Sequence, residues 1–273
     1  MENNRYSSID QLRFIAALCV ALSHIIIFKK GFDINLEIIS SIAVEVFFII
    51  SGFVLTPQII NLLNKSSLQN YKIFLLRRWY RTIPLYLLSL ILISILLGRF
   101  LSFDFFKYLF FIQNFLYIWV SNDYYSIAWS LSVEEWFYII FPLYLILLFR
   151  FSYKINIFNA CIIFIITIFI LRLLFSVDID WGQNVRRVVI FRLDAIVFGV
   201  LLFLIKDRIK KSLLLEISLL IFIFIFSFIV FEIMKINAVT VSKNYQIIFH
   251  YIIAIWGSLV VLFFYIFDKR IKK

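Results

Sequence analysis

Apolar runs of about 18–22 residues recur along this chain, the length an α-helix needs to cross the ~30 Å hydrocarbon core of a bilayer. Eight such runs, at 9–28, 38–60, 80–98, 129–149, 157–176, 186–205, 213–234 and 247–267, are expected to be spanning helices. A ninth, 103–120, is shorter and is interrupted by Lys107, Gln113 and Asn114. Of the 273 residues, 64% are hydrophobic and 34 are Phe, and mean hydropathy is +1.01. A water-soluble domain could not hide that much apolar surface. The expected class is therefore an all-α, polytopic transmembrane helical bundle.

The formal net charge of +11 would suit a nucleic-acid binder, but its distribution points instead to a membrane. Loop 61–81 holds Lys65, Lys72, Arg77, Arg78 and Arg81 with no acid. Loop 206–212 and the tail carry further clusters, and Arg150 and Lys154 add to loop 150–156. Acid-containing connections are 29–37 (Asp33, Glu37), 121–128 (Asp123) and 177–185 (Asp178, Asp180). All the basic loops fall on one side only if 103–120 does not cross. That segment is therefore expected to be re-entrant or interfacial, with both termini cytoplasmic in a multi-pass protein. No repeat, soluble domain or cleavable signal peptide is legible, so residues 1–273 read as one membrane domain. Cys19 and Cys161 read as small core residues, and no metal site is expected. Pro84 is expected near the start of its span, and Pro142 is expected to kink one mid-span.

Charge inside a bilayer is costly, so each buried ionisable group marks a functional candidate. Arg13 and His24 share the first run, eleven residues apart, which is roughly 16 Å of rise and nearly one helix face. The expected topology puts His24, Glu45, Glu134 and Arg192 in the outer leaflet. Arg13, Arg77, Arg78 and Arg81 gather at the inner side. Guanidinium groups there suit a polyanion, while carboxylates and a histidine opposite suit acid–base chemistry. This polarity suggests a donor on the cytoplasmic side and an acceptor on the far side.

Five motifs, in order, resemble those of the acyltransferase family 3 membrane proteins, which O-acylate bacterial cell-surface glycans and some secondary metabolites. They are Asp10-Gln11-Leu12-Arg13 followed by His24, then Val44-Glu45-Val46-Phe47-Phe48 with Ser51-Gly52-Phe53. Next come Phe74 with Arg77-Arg78-Trp79-Tyr80-Arg81 and Pro84, then Trp129-Ser130-Leu131-Ser132-Val133-Glu134-Glu135 with Pro142. The last is Phe191-Arg192-Leu193-Asp194 with Gly199. The resemblance covers about residues 8–200, and the ordered set is far more specific than any single motif.

The resemblance implies an O-acetyltransferase of the bacterial inner membrane. Acyl-CoA, most often acetyl-CoA, would be the donor, and a glycan such as lipopolysaccharide or a lipid-linked saccharide the acceptor. His24 would be the catalytic base, with Glu45 and Glu134 orienting or assisting it. Arg13, Arg78 and Arg81 would hold the donor. Trp129 and Arg192 would contact substrate. Family members usually continue for about two further spans, so this chain is expected to be a short member or a truncated one.

Blander readings stand beside these. At least one of Arg77, Arg78 and Arg81 is expected to be a topology determinant. Ser51-Gly52 reads as a close helix-packing point. Glu134 and Glu135 point about 100° apart, so only one should face a site, and the motif selects Glu134. Arg172, Glu216 and Glu232 are expected to snorkel, and His250 to be interfacial. The rival to catalysis is a transporter or flippase of a glycan precursor, since buried charges spread over several helices also describe a permease.

Overall fold

Local capping chemistry sets the helix boundaries. Gly31 adopts a φ of 93° and ends α1 (Ser7–Lys30), donating its N–H to Ile27 O. Asp33 Oδ1 then accepts from Asn35 N at 2.8 Å and starts α2 (Ile34–Lys65). Helix α3 (Leu68–Leu96) is followed by α4 (Phe103–Leu109), capped by the Ser102 hydroxyl. Helices α5 (Trp129–Phe151) and α6 (Ile157–Phe175) come next, the latter capped by Asn156. The series ends with α7 (Leu193–Ile205), α8 (Leu213–Lys235) and α9 (Lys243–Ile271). This computed structural model describes residues 6–65, 68–120, 123–152, 154–176, 185–209, 212–235 and 243–271. Asp178 and Asp180, Lys210 and Lys211 lie outside the described residues.

The protein is all-α and polytopic. Among the described residues, seven helices are long and apolar enough to cross a membrane. Two expected boundaries move. Loop 61–81 is helical almost throughout, because α2 runs to Lys65 and α3 begins at Leu68. Lys and Arg are good helix formers, so they mark an interface without ending a helix. Pro84 consequently sits well inside α3. The 103–120 stretch forms only the seven-residue α4, about 10 Å long and too short to span.

The sixth expected span, 186–205, is not a continuous helix. A 3₁₀ turn at Val189–Phe191 precedes the thirteen-residue α7, which is only about 20 Å long. The helix fails before Leu193 because its backbone bonds elsewhere. Val189 N donates to Asn114 O at 2.8 Å and Ile190 N to Phe115 O at 3.2 Å. Asn114 Nδ2 donates to Arg187 O. Arg172 Nη2 donates to Phe191 O. Irregular backbone in a membrane protein is tolerated where protein satisfies it, and here it is satisfied.

The chain divides into two compact units, residues 1–54 with 195–273 and residues 55–194. In the first, Ile9, Leu12 and Ala16 of α1 pack with Val46, Ile49 and Phe53 of α2 and Val261 and Tyr265 of α9. Asp268 Oδ1 accepts from Ser7 Oγ at 2.8 Å and from Ser8 N at 3.1 Å, tying the end of α9 to the start of α1. A carboxylate suits the positive end of that helix. Helices α2 and α7 meet backbone to backbone. A Cβ on Gly52 would overlap the Ile196 carbonyl oxygen, and one on Gly199 would overlap that of Ile49. Ser51-Gly52 thus marks a close packing point.

The second unit is centred on Tyr86, Leu90, Phe105, Tyr108 and Ala128. It also buries an ion pair. Arg172 is fully buried and its Nη2 lies 2.9 and 2.8 Å from the two carboxylate oxygens of Asp194. The expectation that Arg172 snorkels is therefore wrong: a partner 22 residues away satisfies it inside the protein. Glu216 (8% exposed) and His250 (3%) are buried as well.

Gly199→Ala should cost about 3 kcal/mol or more, since backbone rather than a movable side chain blocks the new methyl. A normal thermal midpoint for the purified variant, read by tryptophan fluorescence, would contradict the close approach. Arg172→Met should cost about 3–5 kcal/mol by stranding a buried carboxylate, and Arg172→Met/Asp194→Leu should recover much of it. Midpoints that simply add for the two substitutions would show that the pair is not coupled.

Candidate active site

In the unit of residues 1–54 and 195–273, α1 runs unbroken through Arg13 and His24. Their eleven-residue separation therefore holds as roughly 16 Å on nearly one face. His24 is half-buried, and Ser40 Oγ lies 3.3 Å from its Nε2. Ser40 is itself 3% exposed. A hydroxyl on Nε2 restrains the ring plane and biases the tautomer. Ser40 was not singled out by sequence reasoning. Its signal was a pair of small polar residues, Ser40-Ser41, in an apolar run.

Glu45 is 1% exposed on α2, between Val44 and Val46. It continues an i, i+4 row with Glu37 and Ser41, whose hydroxyl donates to Glu37 O at 2.7 Å. Arg13 is less enclosed, with its side chain 30% exposed and 3.9 Å from Asp10 Oδ1.

The other expected site residues belong to the unit of residues 55–194. Here α3 and α5 build a polar cluster. Arg78 Nη2 donates to Gln58 Oε1 at 2.5 Å, and its guanidinium carbon lies 6.0 Å from the Tyr138 ring centroid. The Tyr138 hydroxyl donates to Glu134 Oε2 at 3.1 Å, one helical turn back. Thr82 Oγ1 donates to Glu135 Oε1 at 2.7 Å. Arg78 thus joins the Glu134–Glu135 cluster, and the expected separation into an inner arginine layer and an outer carboxylate layer fails for it. The expected span begins at residue 80, whereas the helix begins twelve residues earlier, at Leu68.

Arg81 is exposed, as is Arg77. Trp129 is 8% exposed, with the Arg186 guanidinium carbon 5.4 Å from its ring centroid. Arg192 is 2% exposed. Glu135 (3% exposed) is more deeply buried than Glu134. Sequence reasoning passed over Glu135 and Arg186. Nothing local in the sequence distinguishes two adjacent glutamates, and an arginine before a span reads as a topology marker.

Among the described residues, no three His, Cys, Asp or Glu side chains gather as a metal site would require. Chemically, the first unit offers a base with a fixed ring nitrogen in an apolar helix. The second offers cations, buried carboxylates and hydroxyls.

Comparison with known proteins agrees with this chemistry. The profile of a family described as "Acyltransferase domain" matches residues 6–273, across both units. Two relatives are named O-acetyltransferases. "O-acetyltransferase OatA" of Staphylococcus aureus (strain NCTC 8325) is 27% identical over 249 residues, covering 81% of this chain and 39% of that protein. "Peptidoglycan O-acetyltransferase OatA" of Listeria monocytogenes is 28% identical over 157 residues, covering 51% and 24%. An uncharacterized Haemophilus influenzae protein is 29% identical over 149 residues, covering 48% of this chain and 58% of that one. The chain thus spans about two fifths of the length of the S. aureus relative. No solved structure matches. With the profile running across nearly its whole length, the chain belongs to the acyltransferase 3 family of membrane proteins.

Proposed function

We propose that this protein is an integral-membrane O-acetyltransferase, moving an acetyl group from acyl-CoA to a hydroxyl of a cell-surface glycan or lipid-linked saccharide. The observation that carries this reading is His24, a histidine inside an apolar helix whose Nε2 is engaged by the buried Ser40 hydroxyl. The family match and the printed names of the two OatA relatives support the acyl chemistry and a glycan acceptor.

In the proposed reaction His24 takes the proton of the acceptor hydroxyl. The resulting oxygen attacks the thioester carbonyl, the C–S bond breaks, and the thiolate leaves with the proton that His24 returns. Glu45 and Glu134 assist, Arg13, Arg78 and Arg81 hold the donor, and Trp129 and Arg192 contact substrate. Exposed Arg81 suits direct phosphate contact, and Arg78 also braces the Tyr138–Glu134 pair.

The proposed setting is the bacterial cytoplasmic membrane, with both termini inside and residues 1–273 acting as one acyltransferase domain. Eight crossings are retained, the sixth being the broken segment that ends in α7. Lysines and arginines in short connections support that orientation.

His24→Ala in the full chain, correctly inserted, should lower acetyl transfer by about 10²–10⁴-fold, the usual contribution of a general base. Acetyl-CoA should still bind. Ester formation on a muropeptide acceptor and thiol release report both halves of the reaction. Transfer at the wild-type rate by this variant would remove His24 from the mechanism. Ser40→Ala should reduce kcat by about tenfold with little change in the KM for acetyl-CoA, because it loosens the ring without touching the donor.

A further inference from the structure

In the unit of residues 1–54 and 195–273, the described parts of α2, α8 and α9 enclose a cavity of about 200 Å³. Ile39 and Ile42 of α2, Val230 of α8 and Ile253 of α9 give it an aliphatic wall. Val230 and Ile253 are 5% and 2% exposed, whereas Ile39 is 43% exposed and Asn35, one turn before it, is exposed too. The cavity is therefore closed by α8 and α9 and opens along the first two turns of α2.

The polar groups deep in this wall make no demand on a ligand. Trp256 Nε1 donates to Ser227 Oγ at 3.0 Å, and Ser227 Oγ in turn donates to Ile223 O at 2.7 Å. The indole and hydroxyl protons are thus both satisfied inside the protein. An apolar void of this size stays dry: one of about 150 Å³ lined by Leu, Ile and Phe excludes water yet takes up benzene. The ligand class is therefore a hydrocarbon. Lipid chains in a bilayer are as apolar as this wall, so transfer from water contributes nothing. The gain comes from dispersion contacts with a wall that otherwise has no partner atoms.

The place of the cavity decides which hydrocarbon it suits. Ile39 directly precedes Ser40, whose Oγ lies 3.3 Å from His24 Nε2. Consecutive helical residues project about 100° apart, so the cavity and the proposed base occupy adjoining faces of one turn of α2. Asn35 stands at the mouth, about 7.5 Å of helical rise before Ser40. Its amide offers both donors and an acceptor to a polar headgroup. In the proposed orientation this end of α2 is the outer one, the side of the acceptor.

We infer that this cavity seats the hydrocarbon chain of a lipid-linked saccharide, with the headgroup emerging beside Asn35 toward His24. This rests on the O-acetyltransferase reading and narrows its acceptor to the lipid-linked class. The acyl chain of a longer donor is disfavoured, because the cavity opens at the outer end of α2 while the proposed donor enters from the inner side.

The test uses the full-length protein in phospholipid nanodiscs with tetraprenyl diphosphate-linked N-acetylglucosamine carrying a diazirine in its chain. Photolysis should place saturable adducts on the peptides containing Val230 and Ile253, competed by the unlabelled tetraprenyl compound. Val230→Phe should weaken that labelling about tenfold, since it fills roughly 60 Å³ of the cavity. Ile39→Trp, at the exposed mouth, should weaken it too and leaves the packed core alone. His24→Ala should label like wild type, because it removes the base and keeps the cavity. Adducts confined to other helices, labelling that neither substitution at the cavity weakens, equal labelling by a diazirine phospholipid, or competition by a medium-chain acyl-CoA would each overturn the inference. Acetyl transfer to this acceptor without labelling at the cavity removes the role of the cavity alone. Labelling at the cavity without acetyl transfer removes the enzymatic reading alone.

Discussion

Backbone that leaves a helix inside a membrane protein must find hydrogen bonds in the protein itself. Residues 187–192 meet that demand through Asn114, Phe115 and Arg172. Much follows from those few bonds. They halt the helix before Leu193, bury Asp194 against Arg172, and hold the connection between α4 and α5 in a non-helical path. That path in turn positions Gln113 against Ser132 and Asn114 against Arg187 O, and brings Trp129 beside Arg186. Substitutions at Arg172 would therefore disturb residues far from it in sequence.

Buried and half-buried charge is handled by pairing and by hydroxyls. Arg172 has Asp194, Glu135 has Thr82, Glu134 has Tyr138, and Asp123 has Tyr108 and Arg187. Buried pairs seldom add much net stability, yet losing one partner is expensive. Such pairs hold side chains in place more than they hold the fold together. The exposed Arg77 and Arg81 differ, being free to meet a soluble anion.

Much of the fold was legible from hydropathy, because transfer cost into lipid is a local property of the sequence. Seven helices of spanning length, the short 103–120 segment and the Ser51-Gly52 packing point all follow from it. The lengths of α2 and α3 did not, since lysine and arginine flank the hydrocarbon core without breaking a helix. The break at 187–192 was invisible because its cause lies in Asn114, 73 residues from its partner Arg187. Arg172 was misread for the same reason, with its carboxylate 22 residues away. At the candidate site, Arg13, His24 and Glu45 stood out as charges among apolar residues. Ser40, Thr82 and Glu135 did not, because hydroxyls and a second adjacent acid carry no such contrast.

The central claim is that this chain itself transfers an acetyl group. The most direct measurement incubates the purified full-length protein, reconstituted in nanodiscs, with acetyl-CoA labelled in the acetyl carbonyl and a muropeptide acceptor. The account predicts that label leaves the thioester and appears on the sugar as an alkali-labile ester, in equal amount to the free thiol formed. Thioester that stays intact in the presence of acceptor would contradict it.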